Sequence, residues 1–297
     1  MLALEILTYA KYAAVSHASQ ALKSHLFNQF LSTALEVTPR QFYKEPIWLK
    51  AKIVMKLRVH SYESLGTFDG PGLRLVVFLQ GCNFRCLYCA NPDTIDLCGE
   101  AKETDPDHII EQAVSEKPFF GKRGGITFSG GEPTLQAKAL IPLCKRLKEE
   151  GIHICIDTNG SVWNQWVEEL FSIVDLVLLD VKQHNPSQHQ LLTERSNEQT
   201  LRTAEWLERN GKPFWLRYVL VPGYSDAEAD IRSLGEHLGK FEMVQRVEIL
   251  PYHTLGVHKY EAMGQEYKLQ GVKENTPEQL DRAKALFDQY FKTVFVN

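Results

Sequence analysis

The sequence has no long apolar run: none of its 297 residues lies in a stretch of about 18 apolar residues, as a membrane span requires. It also lacks a strong charge of one sign. The formal net charge is −4, which gives no support to nucleic-acid or anionic-membrane binding. No basic region followed by an apolar core opens the chain, so no secretory signal is predicted. Since 44% of the residues are hydrophobic, we expect a cytoplasmic globular protein with a sizeable core.

Cysteine is scarce as well: six residues in a chain of this length do not make a disulfide framework. Three are scattered and are interpreted as ordinary thiols of a reducing cytosol: Cys98, Cys144 and Cys155. The other three fall in one short loop at C-x3-C-x2-C spacing: Cys82, Cys86 and Cys89. They directly follow a strand-like run, which makes a trio of buried or disulfide-bonded cysteines the weaker alternative.

Thiolates at this spacing suit an iron–sulfur cluster or zinc. A cubane cluster needs four ligands, so three cysteines leave one iron open to an external ligand, which is a catalytic arrangement. A structural zinc site is normally closed by a fourth protein ligand, and Cys98 is the only further cysteine within reach in the sequence. The residues alone leave open a catalytic cluster, a structural metal-binding module and an electron carrier.

Short apolar runs and amphipathic segments alternate along the chain. The apolar runs predict six buried strands: 73–80, 125–128, 153–157, 176–180, 214–219 and 246–250. The amphipathic segments predict six helices: 105–116, 135–150, 164–171, 197–210, 226–239 and 276–291. This alternation indicates βα units and a parallel sheet. In such sheets, ligands and catalytic groups collect at the carboxyl ends of the strands.

Segments with polar residues and glycine follow four of the predicted strands. They are Ser129-Gly130-Gly131-Glu132-Pro133, Asp157-Thr158-Asn159-Gly160, Asp180-Val181-Lys182 and Leu250-Pro251-Tyr252-His253. The paired glycines allow close backbone approach to a ligand, although a plain strand-to-helix turn is the alternative. Asp157 and Asp180 would repel each other at one mouth unless a cation lay between them. Their alternative role is helix capping, and that of His253 is structural.

One further segment precedes the cysteine loop: residues 60–74, HSYESLGTFDGPGLR. Together with the cysteine spacing and Tyr88 before the last cysteine, it resembles the glycyl-radical-enzyme activases of the radical S-adenosylmethionine (SAM) superfamily. Within them the similarity is strongest to activases of pyruvate formate-lyase. Many other activases carry a cysteine-rich insert before the GGE segment, whereas residues 90–128 contain only Cys98. The resemblance runs from about Met55 to the C-terminus.

This resemblance implies an α/β fold, a partial (β/α)6 barrel, with one 4Fe–4S cluster, SAM and a monovalent cation. The implied cluster ligands are Cys82, Cys86 and Cys89. The implied SAM contacts are Tyr88, Cys89, Ala90, Gly130, Gly131, Glu132, Asp180, Val181, Lys182 and His253. The implied cation ligands are Asp157, Thr158 and Asp180, and the implied contacts to a partner's peptide are Asp69, within the 69–72 segment, and Arg217. For Arg217, which lies inside a predicted strand, a structural ion pair is the alternative.

One position departs from the family. Ala90 stands where the family often has histidine after the third cysteine. The resemblance implies that this position contacts adenine through its backbone, which alanine still supplies, whereas any role of the histidine side chain is lost.

The resemblance also implies the reaction. SAM is reductively cleaved under anaerobic conditions, and the resulting radical removes a hydrogen atom from a glycine of pyruvate formate-lyase. No side chain acts as an acid or base. The implied electron donor is reduced flavodoxin or ferredoxin, and a monomer is expected. Activation of another glycyl-radical enzyme is the alternative within the family.

Residues 1–54 differ from the rest of the chain. Their loosely helical apolar spacing is interrupted at Thr38-Pro39 and Glu45-Pro46, because the residue before a proline is pushed out of the helical region. Three interpretations remain: a helical extension, a weakly ordered appendage, or an upstream stretch preceding a true start at Met55. We therefore predict an N-terminal extension, 1–54, that is not part of the family's domain, and a catalytic domain, 55–297.

Overall fold

The structure is a computed structural model that describes residues 55–99 and 101–297. The predictions made for residues 1–54 lie outside these ranges. Among the helices of the described ranges, none has the length and apolar character needed to cross a bilayer.

One nine-stranded sheet forms the centre of the fold. Its strands are β1 (Leu57–Gly66), β2 (Arg74–Leu79), β3 (Lys102–Thr104), β4 (Gly125–Gly130), β5 (His153–Thr158), β6 (Leu176–Asp180), β7 (Phe214–Leu220), β8 (Val244–Pro251) and β9 (Val294–Val296). Their order in space is β3-β1-β2-β4-β5-β6-β7-β8-β9. All neighbours from β2 to β9 are parallel, whereas β1 pairs antiparallel with β2 and with β3.

Helices connect the parallel strands. They are α1 (Pro106–Phe120), α2 (Ala137–Glu149), α3 (Gln165–Ile173), α4 (Pro186–Thr193), α5 (Glu198–Arg209), α6 (Glu228–Leu238), α7 (Val257–Ala262) and α8 (Pro277–Phe287). Several begin at a side chain that accepts from the first free N–H groups, such as Asn164 before α3. Thr276 and Gln279 form a reciprocal capping box at α8.

The predicted fold class is confirmed. The six predicted strands are β2 and β4–β8, and the six predicted helices are α1, α2, α3, α5, α6 and α8. The strands β1, β3 and β9 and the helices α4 and α7 were not predicted. β1 mixes polar and apolar residues, and β3 and β9 have only three residues each, so none forms a continuous apolar run.

The two faces of the sheet differ because side chains alternate along each strand. One face packs against the helices and contributes most of the apolar core, for example Ile126, Ile156 and Leu216. The opposite face carries a small apolar cluster made by Cys155, Leu176, Leu178 and Trp215. Charged side chains follow on the same face toward the carboxyl ends of the strands, which is where the site lies.

Arg74 anchors the 69–72 segment to the sheet. Its fully buried side chain donates to the carbonyl oxygen of Pro71 at 2.9 Å, to that of Ile126 at 2.6 Å and to Thr127 Oγ1 at 2.6 Å. Thr127 Oγ1 in turn donates to the carbonyl oxygen of Asp69 at 2.6 Å. The segment is therefore fixed at both ends.

Candidate active site

A cavity of about 620 Å³ opens at the carboxyl ends of the parallel strands. It collects nearly all of the predicted site residues: Asp69, Cys82, Cys86, Tyr88, Cys89, Ala90, Gly130, Gly131, Asp157, Thr158, Asp180, Lys182, Arg217 and His253. The predicted SAM contacts Glu132 and Val181 do not line it. Residues from seven separate segments of the sequence thus lie at one place, and five of the segments are at or just after the carboxyl end of a strand.

The start of the cysteine loop is fixed beside the cavity by backbone hydrogen bonds to the segment that follows the loop. Gly81 has φ +101°, a conformation that favours glycine, and turns the chain out of β2. The N–H of Gly81 donates to the carbonyl oxygen of Thr94 at 2.8 Å, and that of Cys82 to the carbonyl oxygen of Ile95 at 3.0 Å. The loop is thereby pinned at its start, which presents its sulfurs to the cavity.

The three cysteine sulfurs stand at the cavity as free thiols. Cys82, Cys86 and Cys89 are partly buried and form no disulfide. In the described part of the chain, no three His, Cys, Asp or Glu side chains surround a point where one metal ion could sit. Burial raises the pKa of Cys82 to about 12 and raises that of Cys86 as well, so both thiols need a nearby positive centre to ionise. An iron–sulfur cluster supplies such a centre.

Asp180 and Lys182 form an ion pair inside the cavity. Lys182 Nζ lies 2.7 Å from Asp180 Oδ2 and 6.0 Å from the centre of the Tyr88 ring. Burial raises the pKa of the Asp180 carboxyl, and the lysine charge opposes that rise. The pair supplies one positive and one negative group to a ligand that carries both charges.

Asp157 has one carboxylate oxygen in use and one free. Its Oδ2 accepts from Ser129 Oγ at 2.8 Å and from Arg217 Nη1 at 3.2 Å. Its Oδ1 is buried without a hydrogen-bond partner. A buried carboxylate oxygen of this kind fits a cation ligand, so Asp157 suits the cation role predicted for it.

Glu132 has its acceptors occupied by the protein. The buried carboxylate accepts from the backbone N–H of Thr134 at 3.0 Å, from Thr158 Oγ1 at 2.7 Å and from the N–H of Asn159 at 2.8 Å. It therefore ties the end of β4 to the end of β5. The SAM contact predicted for Glu132 remains a prediction, and its side chain has this structural role, which the sequence did not reveal.

Arg217 lies in the middle of β7 and is a junction rather than a free cation. Its guanidinium lies 3.2 Å from Asp157, 3.8 Å from Asp69 and 3.4 Å from Glu248, and donates to the carbonyl oxygen of Phe68 at 3.1 Å. Burial raises the pKa of Asp69 to about 6, although Arg217 opposes that rise. The carboxylate groups hold Arg217 charged in a buried position.

Glu248 was missed by sequence reasoning. It is 2% exposed and lies between Arg217 and Arg246, which is 3.1 Å away. The sequence does contain a signal for it. Arg246 and Glu248 are charged residues two positions apart in a predicted strand, so their side chains are expected on the same face of the sheet.

Residues 253–260, which follow β8 and are called the covering segment here, lie over the cysteine loop. Tyr260 OH donates to the carbonyl oxygen of Cys89 at 3.2 Å, and Lys259 Nζ donates to Asn91 Oδ1 at 2.8 Å. Tyr252, Tyr260 and Tyr267 belong to one apolar cluster, in which the hydroxyl oxygens of Tyr252 and Tyr267 are 2.9 Å apart. The exposed His253 begins this segment, at the rim of the cavity.

Comparison with known proteins decides the family. The Radical SAM superfamily model matches residues 76–234. The pyruvate formate-lyase 1-activating enzyme of Escherichia coli (strain K12) is 45% identical over 236 residues, covering 78% of this chain and 96% of that protein. The chain belongs to the pyruvate formate-lyase activating enzyme family of the radical SAM superfamily. The activating enzyme of Streptococcus mutans serotype c is also 45% identical, over 80% of this chain and 94% of that protein.

Solved radical SAM structures share the fold. A domain of a pyruvate-formate lyase-activating enzyme from Bacteroides vulgatus matches with a TM-score of 0.50 and 24% identity, over 59% of this chain and 99% of that one. Streptococcus suis SuiB bound to S-adenosylmethionine matches with a TM-score of 0.57 and 15% identity, over 76% of this chain and 50% of that one. These findings confirm the family predicted from residues 60–89. Its cofactors are a 4Fe–4S cluster and SAM.

Proposed function

We propose that this protein is the activase of pyruvate formate-lyase, which generates the glycyl radical of that enzyme under anaerobic conditions. The observation that carries the proposal is the single cavity, which unites the cysteine loop, four strand ends and the 69–72 segment. The Escherichia coli and Streptococcus mutans relatives, each 45% identical to this chain over the aligned residues, are named for the same activity.

In this proposal Cys82, Cys86 and Cys89 hold the 4Fe–4S cluster, and SAM occupies the cavity beside it. When bound, the reduced cluster and SAM would supply the one-electron chemistry for removing a hydrogen atom from the partner's glycine. Within the protein, Tyr88, Ala90 and the backbone of Gly130 and Gly131 shape the SAM pocket. Further predicted SAM contacts are Glu132, Val181 and His253.

The charged residues orient the ligands. Lys182 and Asp180 face the amino acid end of SAM with opposite charges, and the free oxygen of Asp157, with Thr158 and Asp180, holds a monovalent cation. Asp69 and Arg217 set the position of the partner's glycine loop. The covering segment and the half-buried cavity keep water from the reacting atoms.

The proposal includes two points that rest on family resemblance. Reduced flavodoxin or ferredoxin delivers the electron, and the protein acts as a monomer. Both are testable in the same reaction, by exchanging the electron donor and by measuring the molecular mass in solution.

The experiment is anaerobic reconstitution with iron and sulfide, followed by reduction and addition of SAM. We measure 5′-deoxyadenosine with and without purified pyruvate formate-lyase and record the glycyl radical by electron paramagnetic resonance. SAM cleavage together with the radical supports the proposal. SAM cleavage without the radical retains the superfamily chemistry and rejects the partner. If the cluster is intact and reduced but SAM is not cleaved, the proposal fails and an electron-carrier or structural role takes its place.

A further inference from the structure

Two exposed apolar side chains stand at the cavity. Leu255 is 74% exposed and Phe68 is 64% exposed, and they are the two most exposed large hydrophobic residues in the described part of the chain. Both line the cavity. Single exposed apolar side chains are common on protein surfaces, but here the two most exposed ones both line one binding cavity, where a partner's loop would contact them.

The two side chains come from different loops. Phe68 lies between β1 and β2, and Leu255 lies between β8 and α7. Since β2 and β8 are the first and last strands of the six parallel βα units, these residues flank the strands that carry the cofactor site.

Both loops are held in place by the protein. The carbonyl oxygen of Phe68 accepts from Arg217 at 3.1 Å, and that of the next residue, Asp69, accepts from Thr127 at 2.6 Å. Leu255 precedes Gly256, where an added Cβ would lie 2.8 Å from Ala90 Cα, so the chain packs closely on the cysteine loop there. Fixed backbones with free apolar side chains are preorganised for binding.

We propose that Phe68 and Leu255 form an apolar clamp that selects the partner's loop by the residues next to its glycine. This inference rests on the proposed function and specifies its substrate. The glycine must reach the inner cavity, and an extended chain advances only about 3.3–3.6 Å per residue. The residues on either side of the glycine then lie along the cavity wall and its opening, which Phe68 and Leu255 line. The clamp accepts an extended, glycine-bearing loop with bulky apolar neighbours.

The charged residues at the same opening do not provide this selection. The side chains of Asp69 and Arg217 are only 16% and 9% exposed, and each already faces an opposite charge. They set the position of the arriving loop as a whole, and the exposed apolar pair contacts the side chains that distinguish one loop from another.

The test compares variants with matched exposure. Phe68→Ala, Leu255→Ala and the double variant are assayed for glycyl-radical formation over a range of pyruvate formate-lyase concentrations. Phe119→Ala is the control, because Phe119 lies on α1 outside the cavity lining and is 60% exposed. The double variant is expected to need at least tenfold more partner for half-maximal rate, because aromatic and aliphatic anchors at interfaces commonly contribute an order of magnitude in affinity.

Two further measurements separate selection from damage. Phe68→Leu keeps an apolar anchor and is expected to stay within about threefold of the wild type. SAM cleavage without partner is recorded for each variant, and the loss with partner is expected to exceed any change in it. Equal half-saturation in the double variant and in Phe119→Ala overturns the clamp while leaving the activase function intact. Absence of the radical with the wild-type protein overturns the proposed function itself, and the clamp with it.

Discussion

At the scale of single residues, the burial of the Asp69 carboxyl has an effect on stability that depends on pH and can be measured. Its carboxyl is mostly buried, and burial raises its pKa from 3.8 to about 6 even though Arg217 faces it. A carboxyl whose pKa is raised by folding binds its proton more tightly in the folded state than in the unfolded state. The contribution of Asp69 to stability is therefore fully present below about pH 4 and lost as pH rises through about 6.

Asp69→Asn keeps the shape of the protonated side chain and removes the titration. We expect the variant to exceed the wild type in unfolding free energy by up to about 3 kcal/mol at pH 7.5, since one pKa unit corresponds to about 1.4 kcal/mol. The difference should shrink as pH falls toward 5. Urea unfolding across this range measures it, with the exposed Asp281→Asn on α8 as control. A difference that does not change with pH contradicts the raised pKa.

The cysteines offer a second test at this scale. Cys86→Ala is expected to lose the cluster, measured as iron and sulfide content after anaerobic reconstitution, because three thiolates are the fewest that hold a cubane with one open iron. Cys98→Ala is the matched control: Cys98 is exposed and lies outside the cavity lining. Loss of the metal in Cys98→Ala would instead support a closed, four-cysteine structural site.

At the scale of elements, Glu132 determines how the ends of β4 and β5 sit beside the cavity. Every group that its carboxylate contacts is a donor. In Glu132→Gln the amide nitrogen must face one of these donors, so we expect a loss of about 1–3 kcal/mol in unfolding free energy. SAM binding should weaken as well, because Thr158 and Asn159 line the cavity.

The control for that variant is Glu149→Gln, at an exposed position on α2. Chemical unfolding and SAM binding of the holoenzyme are measured for both. Wild-type stability of Glu132→Gln would show that the carboxylate does not hold the two strand ends together.

Six of the seven parallel strands and most helices in the described part of the chain could be predicted, because each buries a continuous apolar face. β6 was predicted with both of its ends correct, 176–180. Its first four residues are all aliphatic, and charged residues, Asp175 and Asp180, mark its two ends. β9 and α7 could not be predicted, because they form through contacts with distant segments rather than through their own pattern. The site followed the same division. Residues at strand ends were found. Glu248 could be recognised as a charged residue inside a predicted strand, but its partner Arg217 could not, because that pairing depends on the register of two neighbouring strands.

At the scale of the whole molecule, the cavity is lined by residues from Glu63 to Asn297 within the part of the chain that the structure describes. We therefore predict that the fragment 55–297 retains the cluster, SAM cleavage and glycyl-radical formation at rates comparable to those of the full chain, since it contains every residue to which we assign a role in the site. Iron content and radical yield of the two proteins provide the comparison. A fragment that cannot hold a cluster while the full chain does would contradict the predicted boundary at residue 55.

Mass spectrometry of the native N-terminus tests the interpretation that the true start is Met55. Peptides from upstream of Met55 would contradict that interpretation.

The position of Arg217 has a thermodynamic consequence. One guanidinium contacts Asp157, beside the proposed cofactor pocket, and the carbonyl oxygen of Phe68, at the opening where the partner arrives. A cation bound at the free oxygen of Asp157 would draw negative charge away from Arg217 and so change how strongly Arg217 holds the Phe68 loop. Linkage then requires reciprocity: the factor by which SAM alters the affinity for the partner equals the factor by which the partner alters the affinity for SAM. Such a coupling would run through the contacts of one side chain and would not require a domain to move.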